Sequence, residues 1–325
     1  MSKVACRKID NSISKAVEEV MELAEYERYI TGKVALKINL CWDRFLPGVQ
    51  TSPAFLDAVL TELSDYDLIV IESETVTTKL TTALRTTKID KVIKKHEVKF
   101  VNLSEDSMKK VNTCVGTMHL PETLLSIDSL VTLPVLKTHC LTTITCSLKN
   151  QWGCISELRH NMHLVVDKAL VEVNKIVKPC FAILDGTIGL EGCGPKMGSP
   201  FEYGYVFASS DLVSLDSCAA QSLGFNPKNI NHLCVAQREG VGEMDFELIG
   251  DSPLVYHAKP AEKPFSTEVE FFLRKHFPKI FDSFMMDFLA WSAARYYDIW
   301  YYSKGRRLLR QFMEESKFAY QWKED

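Results

Sequence analysis

Ser129-Leu130-Val131-Thr132-Leu133-Pro134-Val135-Leu136-Lys137-Thr138-His139 carries an apolar run directly into a cation, a hydroxyl and an imidazole. The run reads as a buried strand. Ending in Lys-Thr-His, it would deliver those groups to the carboxyl edge of a sheet, where open α/β folds bind ligands. Leu148-Lys149-Asn150-Gln151-Trp152-Gly153 and then His163 follow closely. Taken singly, Lys137 reads as a solvated strand end and His139 as a satisfied hydrogen-bonder beneath a loop. Together, Lys137, His139, Lys149, Asn150 and His163 predict a pocket for a small anionic molecule.

Outward from this stretch, strands and helices alternate. Apolar residues at helical spacing predict a helix over 12–26, and a strand follows at 32–40. A helix is expected over 53–63 with Ser52 as its N-cap, then a strand over 67–72, a basic helix over 80–96 and a strand over 98–103. After the Lys-Thr-His segment come a helix over 164–177, a buried strand over 179–184 ending in Asp185-Gly186, and a glycine-rich loop over 189–198. A strand over 205–208 then leads to a helix that Ser209-Ser210-Asp211 caps, with Asp216 on it. Alternation of this kind predicts an α/β fold: a mostly parallel, doubly wound sheet with helices on both faces. Residues 1–255 read as the α/β domain and 256–325 as a helical, aromatic-rich C-terminal extension.

The chain has 325 residues, enough to bury a full core without staples. With 46% apolar and 25% charged residues it has a globular composition, and its net charge of −4 argues against a general nucleic-acid binder. No apolar run has signal-peptide or spanning length, which places the protein in the cytoplasm. None of the ten cysteines forms a Cys-x-x-Cys pair. Cys140, Cys146 and Cys154 flank the polar segments and offer a second reading, a metal or iron-sulfur cofactor carrier or redox accessory protein; free thiols fit their spacing better.

In the leading reading, an intracellular enzyme of unestablished reaction, Lys37, Lys137, Lys149 and Arg44 neutralise a carboxylate or phosphate, while Asn39 and Asn150 supply directional hydrogen bonds. Gly192 and Gly194 let backbone amides approach the ligand. The glycine spacing is not that of a dinucleotide fingerprint, and no P-loop lysine follows. His139 and His163 are the candidates for proton transfer, with Lys137 beside them; Asp185 orients a histidine or completes a divalent-metal site of His139, His163 and Asp185. Asp211 reads as an N-cap, and Asp216 calls for a partner if buried, Lys137 or Lys149 being candidates.

From about Lys263 the character changes. Rings such as Phe272, Phe288, Trp291, Tyr296, Trp300 and Tyr302 interleave with Arg274, Lys275, Arg295, Lys304, Arg306 and Arg307. Over 264–312 the pattern suits either a peripheral helix on a membrane surface or helices packed on the α/β unit or across a homodimer. Asp282, Asp287 and Asp298 favour the packed reading, and a non-catalytic scaffold that docks through its tail is the third functional alternative.

Lys37-Ile38-Asn39, Thr51-Ser52-Pro53, Leu133 to His139, Lys149-Asn150 with Gly153, His163, Asp185-Gly186, Glu191-Gly192-Cys193-Gly194-Pro195, Ser210-Asp211 and Asp216 occur in an order and spacing that resembles the family known as domain of unknown function 362. The resemblance covers residues 33 to about 220 and implies a shared fold. Many members carry ferredoxin-like cysteine motifs, which implies contact with iron-sulfur chemistry; those motifs are missing from this chain. More distantly the layout is similar to the lactate racemase family, with Asp43-Arg44 and Pro47 after the corresponding strand.

Overall fold

A computed structural model describes residues 1–75, 77–155, 157–263, 265–277 and 285–323. Its strands are β1 (Ser2–Lys8), β2 (Lys33–Lys37), β3 (Asp67–Glu72), β4 (Lys99–Asn102), β5 (Met108–Thr113), β6 (Gly116–Pro121), β7 (Ser129–Thr132), β8 (Val135–His139), β9 (Thr143–Thr145), β10 (Phe181–Cys193), β11 (Met197–Ser209) and β12 (Phe246–Gly250). The main sheet runs β12-β1-β11-β10-β7-β2-β3-β4. It is mostly parallel: β10, β7, β2, β3 and β4 run one way, and β11 lies antiparallel between β10 and β1. The hairpin β5-β6 stands apart.

Helices cover both faces because side chains alternate along each strand. On one face Val34, Leu36 and Val70 pack with Val17, Val20, Phe55 and Val59 of α1 (Ile13–Leu23) and α2 (Pro53–Glu62). The opposite alternation sends Ala35, Ile69 and Ile71 toward Ala169, Leu170 and Val173. The edge between Asp67 and Asn102 is reached through α3 (Leu80–Thr87) and α4 (Ile89–Lys95), and the single basic helix expected over 80–96 is therefore two. Lys88, at φ +62°, breaks it.

The expected continuous strand over 129–139 is broken too. Pro134 has no N–H to give to a ladder, and β7 stops at Thr132 before β8 resumes along β10. Beyond β9 come α5 (Ser147–Asn150) and α6 (Val166–Val177). The glycine-rich loop expected over 189–198 is instead the end of a hairpin between two 13-residue strands, β10 and β11. Then follow α7 (Leu212–Ser222), whose N-cap Asp211 accepts from the Val213 and Ser214 amides as expected, and α8 (Asn231–Arg238).

The C-terminal region is helical: α9 (Phe265–His276), α10 (Met285–Trp300), one π turn, and α11 (Arg306–Glu315). Residues 278–284, with Asp282, lie outside the described residues. Phe312, Phe318 and Trp322 join the main core, while Tyr297, Trp300 and Tyr301 pack against Trp42.

Candidate functional site

The order β10-β7-β2-β3-β4 reverses at β2 and β7: the chain moves outward from β2 to β4, then returns to the other side of β2. Carboxyl ends of strands diverge around such a point, and the crevice between them is where ligands bind. A cavity of about 90 Å³ lies there, lined by Lys37, Asn39, Cys41, Glu72, Lys137, His139, Lys149, Asn150, Trp152 and Arg159 among others. A larger groove, about 470 Å³, opens at the amino ends of β2 and β3 between Lys33, Asp67 and Lys99. Its charged groups are solvated surface residues.

The buried cations are held by two short networks. Lys37 Nζ meets Glu72 Oε1 at 2.6 Å and donates to the Ile38 carbonyl. Glu72 also accepts from the Leu40 and Ser73 amides. Gly153 gives this pair room, since a Cβ there would stand 2.8 Å from Glu72 Oε1 and 2.9 Å from Lys37 Nζ. Lys137 Nζ donates to Asn39 Oδ1 at 2.9 Å and the Val49 carbonyl at 2.7 Å, with Cys41 Sγ at 3.6 Å. Burial lowers the pKa of Lys137. Asn39 passes its amide to Asn150 Oδ1, and Asn150 in turn donates to the Lys37 carbonyl and Thr132 Oγ1. The lysine and both asparagines are thus oriented before any ligand arrives.

Lys149 differs. Its ammonium lies 5.1 Å from the centre of the Trp152 ring and has no hydrogen-bond acceptor or carboxylate among the described residues. Burial, with Arg159 nearby, lowers its pKa to about 7. Arg159 crosses behind the cavity, donating to Ser73 Oγ and to the Ile155 and Glu74 carbonyls. His139 Nδ1 accepts from the Leu141 amide at 3.0 Å. That bond assigns the ring proton of the neutral form to Nε2, and burial holds the pKa of the imidazole well below its usual value. Thr145 Oγ1, buried in the lining, has no hydrogen-bond partner among the described residues.

The other expected residues lie elsewhere. Arg44 pairs with Asp298 at 2.8 Å and anchors α10. Asp185 accepts from the Ser52 amide and hydroxyl and from Thr187, so this carboxylate serves the start of α2. Ser52, expected to cap α2 with its own side chain, gives its hydroxyl to Asp185. His163 stacks on the far side of the cavity wall against Trp152 and contacts Glu270 at 3.6 Å. The amides of Gly192 and Gly194 are taken by the Lys259 and Gly192 carbonyls, which leaves neither to cradle an anion. Asp216, expected to pair with Lys137 or Lys149, instead accepts from the Ser147 and Leu148 amides at 2.7 and 3.0 Å.

The expected metal and cluster donors do not come together among the described residues. Nδ1 of His139 faces an N–H, so coordination through Nε2 would put two donors against each other. Cys146 and Cys154 are buried thiols whose pKa values burial raises, and Cys154 donates to Gln151. Among the described residues no three His, Cys, Asp or Glu side chains are grouped to hold a metal ion.

Residues 34–221 match the family described as domain of unknown function (DUF362). The chain belongs to this family. The match runs from β2 into α7 and includes every residue that lines the cavity. A thylakoid-associated protein of Synechocystis is 32% identical over 139 residues, 40% of this chain and 43% of the relative. The alignment therefore spans less than half of that relative. Among solved structures, the lactate racemase apoprotein of Thermoanaerobacterium thermosaccharolyticum aligns at TM-score 0.40 and 13% identity, covering 69% of this chain and 57% of that one. No helix among the described residues is long and apolar enough to cross a membrane.

Of the cavity-lining groups, Cys41, Glu72, Thr145, Trp152 and Arg159 were not singled out by the sequence for a role at the site. Glu72 had a usable signal, since it closes the apolar run 68–71 at a carboxyl edge as Lys137 closes another. Cys41, Thr145 and Arg159 have none that distinguishes them from ordinary loop residues.

Proposed function

We propose that the DUF362 cavity of this chain binds the anionic group of a small metabolite and belongs to an enzyme that acts on it. The observation that carries this reading is charge imbalance: the ammonium groups of Lys37, Lys137 and Lys149 line the cavity, and among the described residues of its lining the carboxylate is Glu72, which Lys37 already occupies. In a crevice with low-dielectric walls such an excess concentrates positive potential. Lys149 is the cation that meets the anion, since Lys37 and Lys137 are committed to protein acceptors. The neutral His139 ring donates from Nε2, and Thr145 Oγ1, unpartnered among the described residues, donates too.

A volume of about 90 Å³ is close to three waters' share of liquid volume, so it accommodates a carboxylate or phosphate head with the remainder of the metabolite outside. Titration calorimetry with orthophosphate, a phosphate monoester and a dicarboxylate tests the reading. At least one should bind, and Lys149→Met should weaken it by about tenfold or more without lowering Tm, because among the described residues the ammonium has no hydrogen-bond acceptor to lose and the methionine keeps an apolar contact with Trp152. No binding by any of the three, or equal binding to the variant, would overturn it.

A further inference from the structure

We infer that the outer face of α10 and of the π turn and α11 that continue it is a docking surface for an anionic lipid bilayer. This helical stretch has two faces with different fates. Inward, Tyr297, Trp300 and Tyr301 close on Trp42, the Tyr301 hydroxyl donates to the Phe45 carbonyl, and Asp298 holds Arg44. Outward, Phe288, Trp291, Arg295, Ile299 and Tyr302 recur at intervals of three and four, which sets them in one stripe. Trp291 is 59% and Ile299 68% exposed.

A helix already anchored by one apolar face gains nothing in folding from a second, yet the second is built from the largest rings available. Tryptophan and tyrosine with adjoining cations suit the headgroup level of a bilayer, where the rings are half solvated and basic groups meet phosphate. The charge on the face fits that occupant. Beyond Tyr302 the exposed residues are Ser303, Lys304, Arg306, Arg307 and Arg310, and no exposed acid is described on this stretch until Glu314. The only described acid between Phe288 and Arg310 is Asp298, which Arg44 and Arg295 neutralise. A second copy docked on this face would bring rings and cations but no carboxylates to match them, whereas an anionic bilayer supplies both an apolar boundary and negative charge.

Co-sedimentation of the full chain with vesicles of phosphatidylglycerol and phosphatidylcholine, against phosphatidylcholine alone, tests this. Binding is expected only with the anionic lipid and should weaken with added salt. Trp291→Ser with Ile299→Ser should abolish it, and Arg306→Gln with Arg307→Gln should weaken it about tenfold or more. Brominated lipid should quench the tryptophan fluorescence of the unaltered chain on binding, a readout that needs no variant to fold. A chain that stays in the supernatant, binding that survives the Trp291/Ile299 change, absence of quenching, or a native dimer that the same change dissociates would each overturn the inference.

Discussion

Lys137, fully buried, and Lys149, half-buried beside it, are two lysines with opposite accommodations. Lys137 gives its protons to Asn39 and Val49, whereas Lys149 has an aromatic face and nothing to donate to among the described residues. A base whose folded pKa is lowered from 10.5 to about 7 holds its proton weakly in the protein alone. An anion beside it raises that pKa, so binding takes up a proton from neutral pH upward until the ordinary lysine range is reached. Affinity for the anion should therefore be highest below pH 7 and fall as pH rises above it. Calorimetry in buffers of different ionisation enthalpy should show proton uptake near pH 8, absent in Lys149→Met; binding that is flat with pH would remove Lys149 from contact with the anion. At this scale the sequence indicated the lysines but not their division of labour, because which lysine finds an acceptor depends on Asn39 and the Val49 carbonyl, remote in sequence.

The short helix α5 sets where Lys149 and Asn150 stand, and its four residues cannot stabilise themselves. Asp216 of α7 does so by accepting from the amides of Ser147 and Leu148, whose positions open α5. Burial raises the pKa of this carboxyl to about 7, the cost of placing the acceptor inside the protein. Asp216→Ala leaves two buried amides without partners and should cost about 2–3 kcal/mol in urea unfolding. It should also weaken anion binding, since Lys149 loses its support; unchanged binding would show α5 to be positioned by packing alone. Asp185 acts likewise on α2. The sequence placed the starts of α2 and α7 correctly from Ser52-Pro53 and Asp211, because capping is local, but could not show that the α2 cap would come from a carboxylate on β10.

Over the whole molecule the C-terminal stretch is part of the fold it follows. Phe318 is 3% exposed in the same core as Val17 and Phe55, and the Trp322 ring lies 5.0 Å from that of Phe45. Phe318→Ala should therefore cost about 3 kcal/mol or more in global stability. A loss confined to the tail, with the α/β unit melting as before, would show the tail to be an independent attachment. Pairing of Arg44 with Asp298 extends the same connection, and it is why Arg44 is absent from the cavity it was expected to line.

Periodicity and composition determined the α/β class, the alternation of strands and helices, and the carboxyl-edge location of Lys37, Lys137 and His139, since each depends on residues within a few positions of one another. They also marked 133–163 as a candidate site segment, from which Lys137, His139, Lys149 and Asn150 line the cavity. Strand order, the antiparallel insertion of β11, and the hairpin that replaced the glycine-rich loop were decided only by the tertiary structure. The first two rest on pairings between residues far apart in the chain, such as Leu190 with Lys137 and Ala5 with Ala208. The same is true of the site: Glu72, Arg159 and Asn39 meet because the sheet reverses between β2 and β7. A reversal of strand order leaves no periodic trace in a sequence, and it is what turned four scattered cations into one cavity.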